Sequence, residues 1–111
     1  DASRDWGHAK DYVNAMWLML QHDKADDFVC STGISHTVKD LVEYVFGKLN
    51  LDWKNYVTQN EKFFRSEELE FLKGDCSKAR KDLAWEHQYT FETMLDEMIE
   101  YWLNYYNKEN K

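Results

Sequence analysis

Apolar residues that recur every three or four positions commit most of this chain to amphipathic helices. The pattern is sharpest in the stripe Phe91, Met94, Leu95, Met98, Trp102 and Tyr105. Thr90 stands directly before it, where a side-chain oxygen can accept from the first unpaired amides of the helix. An earlier helix follows from Ala9, Tyr12, Val13, Met16, Trp17 and Leu20. Thr37, with Asp40 three positions on, has the form of a capping box and opens a helix through Val38, Leu41, Val42, Val45, Phe46 and Leu49. Asp75 suits the N-cap of a short helix from Cys76 to about Ala84.

Strand-like pieces lie between these helices. Phe28 to Thr32 is apolar and β-branched and runs into Gly33, Trp53 to Val57 alternates in part, and Leu69 to Leu72 is a third short candidate. A strand–helix–strand unit from Phe28 to Val57 implies a right-handed parallel crossover. The expectation is therefore a helix-rich α/β fold, with four helices and a small, partly parallel sheet, forming one domain over residues 1–111.

Composition narrows the function. A net charge of −7 argues against general nucleic-acid binding, which rests on clustered Lys and Arg. An anionic small ligand would need a local basic cluster working against that field. Apolar runs are too short to span a membrane, and no secretory pattern opens the chain, so a cytoplasmic location is the default expectation. Cys30 and Cys76 are far apart without metal-ligand spacing, and a free thiol is the expected state of each. Five Trp, seven Tyr and six Phe supply either a dense core or a surface meant to meet something else, self-association included.

Candidate chemistry is sparse. Tyr44 and Lys48 are four apart, the arrangement in which a lysine lowers a tyrosine pKa in short-chain dehydrogenases. No Gly-rich strand-to-helix turn precedes them, and a solvated helix face is the better reading. His8, His22, His36 and His87 show no ligand-pair spacing, and no nucleophile elbow is present. Two stretches are more informative, Arg4 to Val13 and Phe63 to Asp75. Each sets an arginine beside aromatics in a stretch that reads as a loop or strand end. The guanidinium fork of Arg4 or Arg65 is suited to a diphosphate, and a carboxylate three residues after an arginine, as Glu68 follows Arg65, is placed to accept from ribose hydroxyls. An ordinary surface salt-bridge network is the alternative. Lys73 serves as the nearby basic residue expected to take no part.

Arg4 to Val13 with Ala15-Met16-Trp17 resembles the GDP-mannose 4,6-dehydratase family of extended short-chain dehydrogenase/reductases. The resemblance continues through Asp26 to Val29, Thr32-Gly33, Leu51 to Trp53, Phe64-Arg65 with Glu68, Gly74-Asp75, Ser77 to Ala79, and Leu83 with Trp85. It implies that Arg4 and Arg65 clamp the diphosphate of a GDP-sugar such as GDP-mannose, and that Glu68 holds the ribose. It also implies that this chain corresponds to the carboxy-terminal, substrate-binding part of such an enzyme. The NADP-binding Rossmann half and the catalytic residues would lie outside it, so that no NADP is expected to bind this chain alone. Ser66, Cys76 and His87 depart from the family by standing where proline is usual. A related nucleotide-sugar reductase or epimerase, and a non-catalytic interaction module, are the competing expectations.

Overall fold

A computed structural model of the chain describes residues 2–63 and 69–109. In chain order these form β1 (Ser3–Asp5), α1 (Ala9–Gln21), β2 (Ser35–Thr37), α2 (Val38–Lys48), α3 (Ser77–Leu83) and α4 (Phe91–Glu109), with single 3-10 turns at Trp53–Asn55 and Glu61–Phe63. The helix-rich α/β class and the four helices are as expected.

Local capping explains the helix starts. At α2 the Thr37 hydroxyl accepts from the Asp40 amide at 3.0 Å and the Asp40 carboxylate accepts from the Thr37 amide at 2.9 Å, a complete reciprocal box. Thr90 accepts from the Thr93 amide at 3.1 Å ahead of α4. At α3 the N-cap is Cys76 and not the expected Asp75, and it makes no side-chain cap bond; Asp75, one position earlier, accepts from the Ser77 amide at 3.0 Å. Helix α1 is capped by His8, whose Nδ1 accepts from the Lys10 amide. Left-handed residues follow α2 and α3, at Asn50 (φ 58°) and Ala84 (φ 53°).

The sheet differs from expectation. Among the described residues it has two strands, β1 and β2, paired antiparallel with Ser3 opposite Thr37 and Asp5 opposite Ser35. The expected parallel pair at Phe28 and Trp53 does not form. Thr32 gives its backbone amide to the Asp5 carboxylate, not to a neighbouring strand. The Asp52 carboxylate caps the Lys54 amide at 3.1 Å and turns Trp53–Asn55 into a 3-10 helix. Only the third candidate takes part in pairing: Phe71 makes one parallel bridge to Ser3, with Ser3 donating to Glu70 O at 2.7 Å and Leu72 donating to Ser3 O at 2.9 Å.

Two small cores result. Ala15, Cys76, Ala79, Leu83 and Trp85 are buried where α1 meets α3, and Phe91, Met94 and Leu95 where α4 meets α2. Buried Asp11 joins them. Its carboxylate accepts from the amides of Gln88 and Tyr89, and its carbonyl accepts from Trp85 Nε1 at 2.9 Å. An unpaired buried carboxylate would be costly, so this closure holds the 85–89 turn against α1.

Candidate functional site

The site is built on β1, which carries Arg4 and Asp5 in succession and so on opposite faces of the strand. Arg4 Nη1 donates to the carbonyls of Ser3 and Leu69, both at 2.8 Å. The second contact crosses sixty-five positions and sets the guanidinium against the residue that follows Glu68 in sequence. Arg65 and Glu68 themselves lie outside the described residues.

Asp5 organises the surrounding backbone. One carboxylate oxygen accepts from Thr32 N (2.9 Å) and Thr32 Oγ1 (2.7 Å); the other accepts from Gly33 N (2.8 Å) and Gly74 N (3.3 Å). Burial pushes the Asp5 carboxyl up, but these four hydrogen bonds outweigh it and hold its pKa below the ordinary carboxylate value. Both glycines are required. Gly33 adopts φ 78°, and a Cβ at Gly74 would run into Ser31. The Thr-Gly and Gly-Asp blocks, distant in sequence, thus meet on a single carboxylate beside Arg4.

Two depressions flank this junction. One, of about 350 Å³, is lined by Arg4, Asp5, Leu72, Lys73 and Gly74. The other, of about 330 Å³, shares Lys73 and Gly74 and adds Ser77 and Arg80 among its lining residues. Arg80 is steadied by donating to Thr32 O at 3.2 Å. Arg4, Lys73 and Arg80 set three cations around this junction in a chain of net charge −7, with the carboxylates of Asp5 and Asp75 among the same lining residues. Lys73 borders the same depression as Arg4, so it does not serve as a remote control. Asp5 and Arg80 were not singled out from the sequence, because nothing in their spacing shows which loops converge on them.

Tyr44 and Lys48 have chemistry opposite to that of an activated pair. The Tyr44 hydroxyl donates to Asp96 at 2.6 Å, and that bond, with lesser burial and charge effects, leaves its pKa pushed up to about 12. Lys48 is 3.9 Å from the same carboxylate. The histidines are engaged locally: His8 with Glu97 at 3.1 Å, His36 stacked on Phe91, and His87 with the Tyr89 carbonyl. No trio of His, Cys, Asp or Glu that could hold a metal gathers among the described residues. Nor is any helix among them long and apolar enough to cross a membrane.

A dinucleotide needs a strand-to-helix turn with open space over its glycines. The turn from β1 to α1 carries Gly7, but the Tyr12 ring fills the space over it. β2 runs directly into α2. Neither turn has the open, glycine-lined form that a dinucleotide needs.

Residues 1–98 match the model of a family described as GDP-mannose 4,6 dehydratase. The chain is 48% identical over 99 residues to GDP-mannose 4,6 dehydratase 2 of Arabidopsis thaliana, covering 89% of this chain and 26% of that protein. It is 42% identical over 116 residues to GDP-mannose 4,6 dehydratase of Homo sapiens, covering 89% of this chain and 31% of that one. The fold is similar to that of RMD from Pseudomonas aeruginosa, solved complexed with NADPH, at a TM-score of 0.80 and 19% identity over 92% of this chain and 33% of that one. It is also similar to dTDP-glucose 4,6-dehydratase from Bacillus anthracis, solved in complex with NAD, at a TM-score of 0.76 and 23% identity over 93% of this chain and 32% of that one. The chain thus spans about a quarter to a third of the length of these relatives.

Proposed function

This chain belongs to the GDP-mannose 4,6-dehydratase family, and we propose that it forms the GDP-sugar-binding part of such an enzyme. In this reading residues 1–111 act as one unit. Arg4 and Arg65 receive the diphosphate and Glu68 the ribose. NADP, which would accept the hydride from C4 of the mannose and supply it again at C6, would be held by the rest of the enzyme, as would the acid–base groups. This chain's contribution is to bind and orient the nucleotide.

The observation that carries the proposal is the seat of Arg4. Its guanidinium is fixed on the Leu69 carbonyl, next in sequence to Glu68, at the rim of a depression it shares with Lys73. Charge-assisted hydrogen bonds from such a group contribute about 1.5–3 kcal/mol each.

The test is calorimetric titration of GDP into the complete enzyme. Arg4→Ala should weaken binding roughly tenfold or more, since 1.4 kcal/mol is one decade. Lys73→Ala should weaken it by less, because an exposed lysine acts as a point charge and not as a fork. Lys39→Ala, on the outer face of α2 where the lysine pairs with Glu43, is the control and should change nothing. Equal affinity in Arg4→Ala and Lys39→Ala would place the nucleotide elsewhere.

A further inference from the structure

The two cysteines of the chain flank the loops that Asp5 gathers. Cys30 stands two residues before Thr32, and Cys76 two residues after Gly74. The three backbone amides that donate to Asp5, at Thr32, Gly33 and Gly74, thus belong to segments 30–33 and 74–76, each of which carries one thiol. The segments touch side by side. Ser31 fills the space over Gly74, and the Cys76 sulfur lies 3.8 Å from where a Cβ on Gly33 would stand. Cys76 is buried in the core between α1 and α3, and half-buried Cys30 packs against the same cluster. The Cys30 thiol is pushed up from its ordinary value, by burial first and then by the charge of Cys76. The second cause makes the two thiols electrostatic neighbours.

We propose that Cys30 and Cys76 are a redox modification site, joined reversibly into a disulfide by a small hydroperoxide. Both thiols sit in the packed interior, Cys30 only partly open to solvent, so the oxidant must be small. The Cys30 thiolate attacks one oxygen of hydrogen peroxide. The O–O bond breaks, a sulfenic acid forms on Cys30, and the departing hydroxide takes up the thiol's proton to leave as water. The Cys76 thiol then loses its proton and attacks the Cys30 sulfur. The S–O bond breaks, the S–S bond forms and a second water leaves. The two thiols give up two electrons in all, and one peroxide is reduced to two waters. A small dithiol reverses the bridge by exchange.

Burial and the neighbouring charge keep Cys30 protonated, so the pair reacts slowly and answers sustained oxidant, not a brief pulse. Its effect is mechanical. The bridge adds a covalent tie between two segments that Asp5 holds by hydrogen bonds, and so restrains the junction beside Arg4. The inference does not depend on the nucleotide reading, because both thiols and Asp5 belong to this chain's own fold.

The test is peptide mapping of the complete enzyme after hydrogen peroxide treatment and blocking of the remaining thiols. The cysteines fall in separate tryptic peptides, 25–39 and 74–78. A linked pair, two hydrogens lighter than the sum of the two, is expected, and dithiothreitol should abolish it. Cys30→Ala should lose the pair and leave Cys76 a free thiol. Hydrogen exchange gives a second readout. The amides of Thr32, Gly33 and Gly74 should exchange several-fold more slowly in the oxidised enzyme than in the reduced one, with no such difference in Cys30→Ala treated alike. Absence of the linked pair would overturn the inference, as would either cysteine joined to a different partner. So would a bridge that leaves exchange at those three amides unchanged.

Discussion

Asp5 shows how much of this site rests on one side chain. Its four hydrogen bonds gather loops from two parts of the sequence, at Thr32-Gly33 and at Gly74, against the strand that carries Arg4. Asp5→Asn keeps the shape but replaces one acceptor oxygen with a donor facing amides, and should cost roughly 1–3 kcal/mol of stability in urea unfolding. The pH dependence has a definite sign. The folded carboxyl titrates below its ordinary value, so its stabilising contribution is present above that value and lost as pH falls through the lower, folded one. The loss of stability as pH falls below the ordinary value of 3.8 should therefore be shallower in Asp5→Asn than in the parent chain. An equally steep loss would mean that other carboxylates govern the acid limb. From sequence, Arg4 was an anion-binding candidate through its setting among aromatics before a helix, with an ordinary surface salt-bridge network as the alternative. The role of Asp5 was not legible, since its partners lie 27 to 69 positions away.

At the scale of elements, the helices were legible and the strands were not. Thr37 and Thr90 announce helix starts through short-range chemistry that a sequence displays directly. β1 and β2 are three polar residues each, too short to show alternation, and they exist because tertiary contacts hold them together. The inward face of α1 was also hidden. Its stripe of Val13, Met16, Trp17 and Leu20 points to solvent, and Asp11 and Ala15 are the buried pair. A helix apolar on two sides gives no single direction to its periodicity. The two faces should respond differently to substitution. In the isolated chain, Val13→Asp should change stability by no more than about 0.5 kcal/mol. Ala15→Leu, forced against Ala79 and Trp85, should cost about 1–3 kcal/mol. Thermal unfolding checks both, and a larger loss in Val13→Asp would reverse the orientation of α1.

The whole molecule is broader and more exposed than a self-contained domain of its length. Its radius of gyration is 17.4 Å, against roughly 13 Å for a compact chain of this size. Its accessible surface of 8903 Å² exceeds by about a third what its mass predicts. Two small cores joined through Asp11, with apolar faces left open on α1 and distal α4, account for the excess. A nucleotide site on such a scaffold depends on residues far apart in sequence being held together. The most direct test of that claim is a double-mutant cycle on Arg4 and Arg65, read by calorimetric titration of GDP into the complete enzyme. If both arginines hold one diphosphate, each single alanine variant binds about tenfold weaker or worse. The double variant then departs from the sum of the two by at least about 0.5 kcal/mol. Strict additivity, or an Arg65→Ala enzyme that binds GDP as the parent does, would contradict the account.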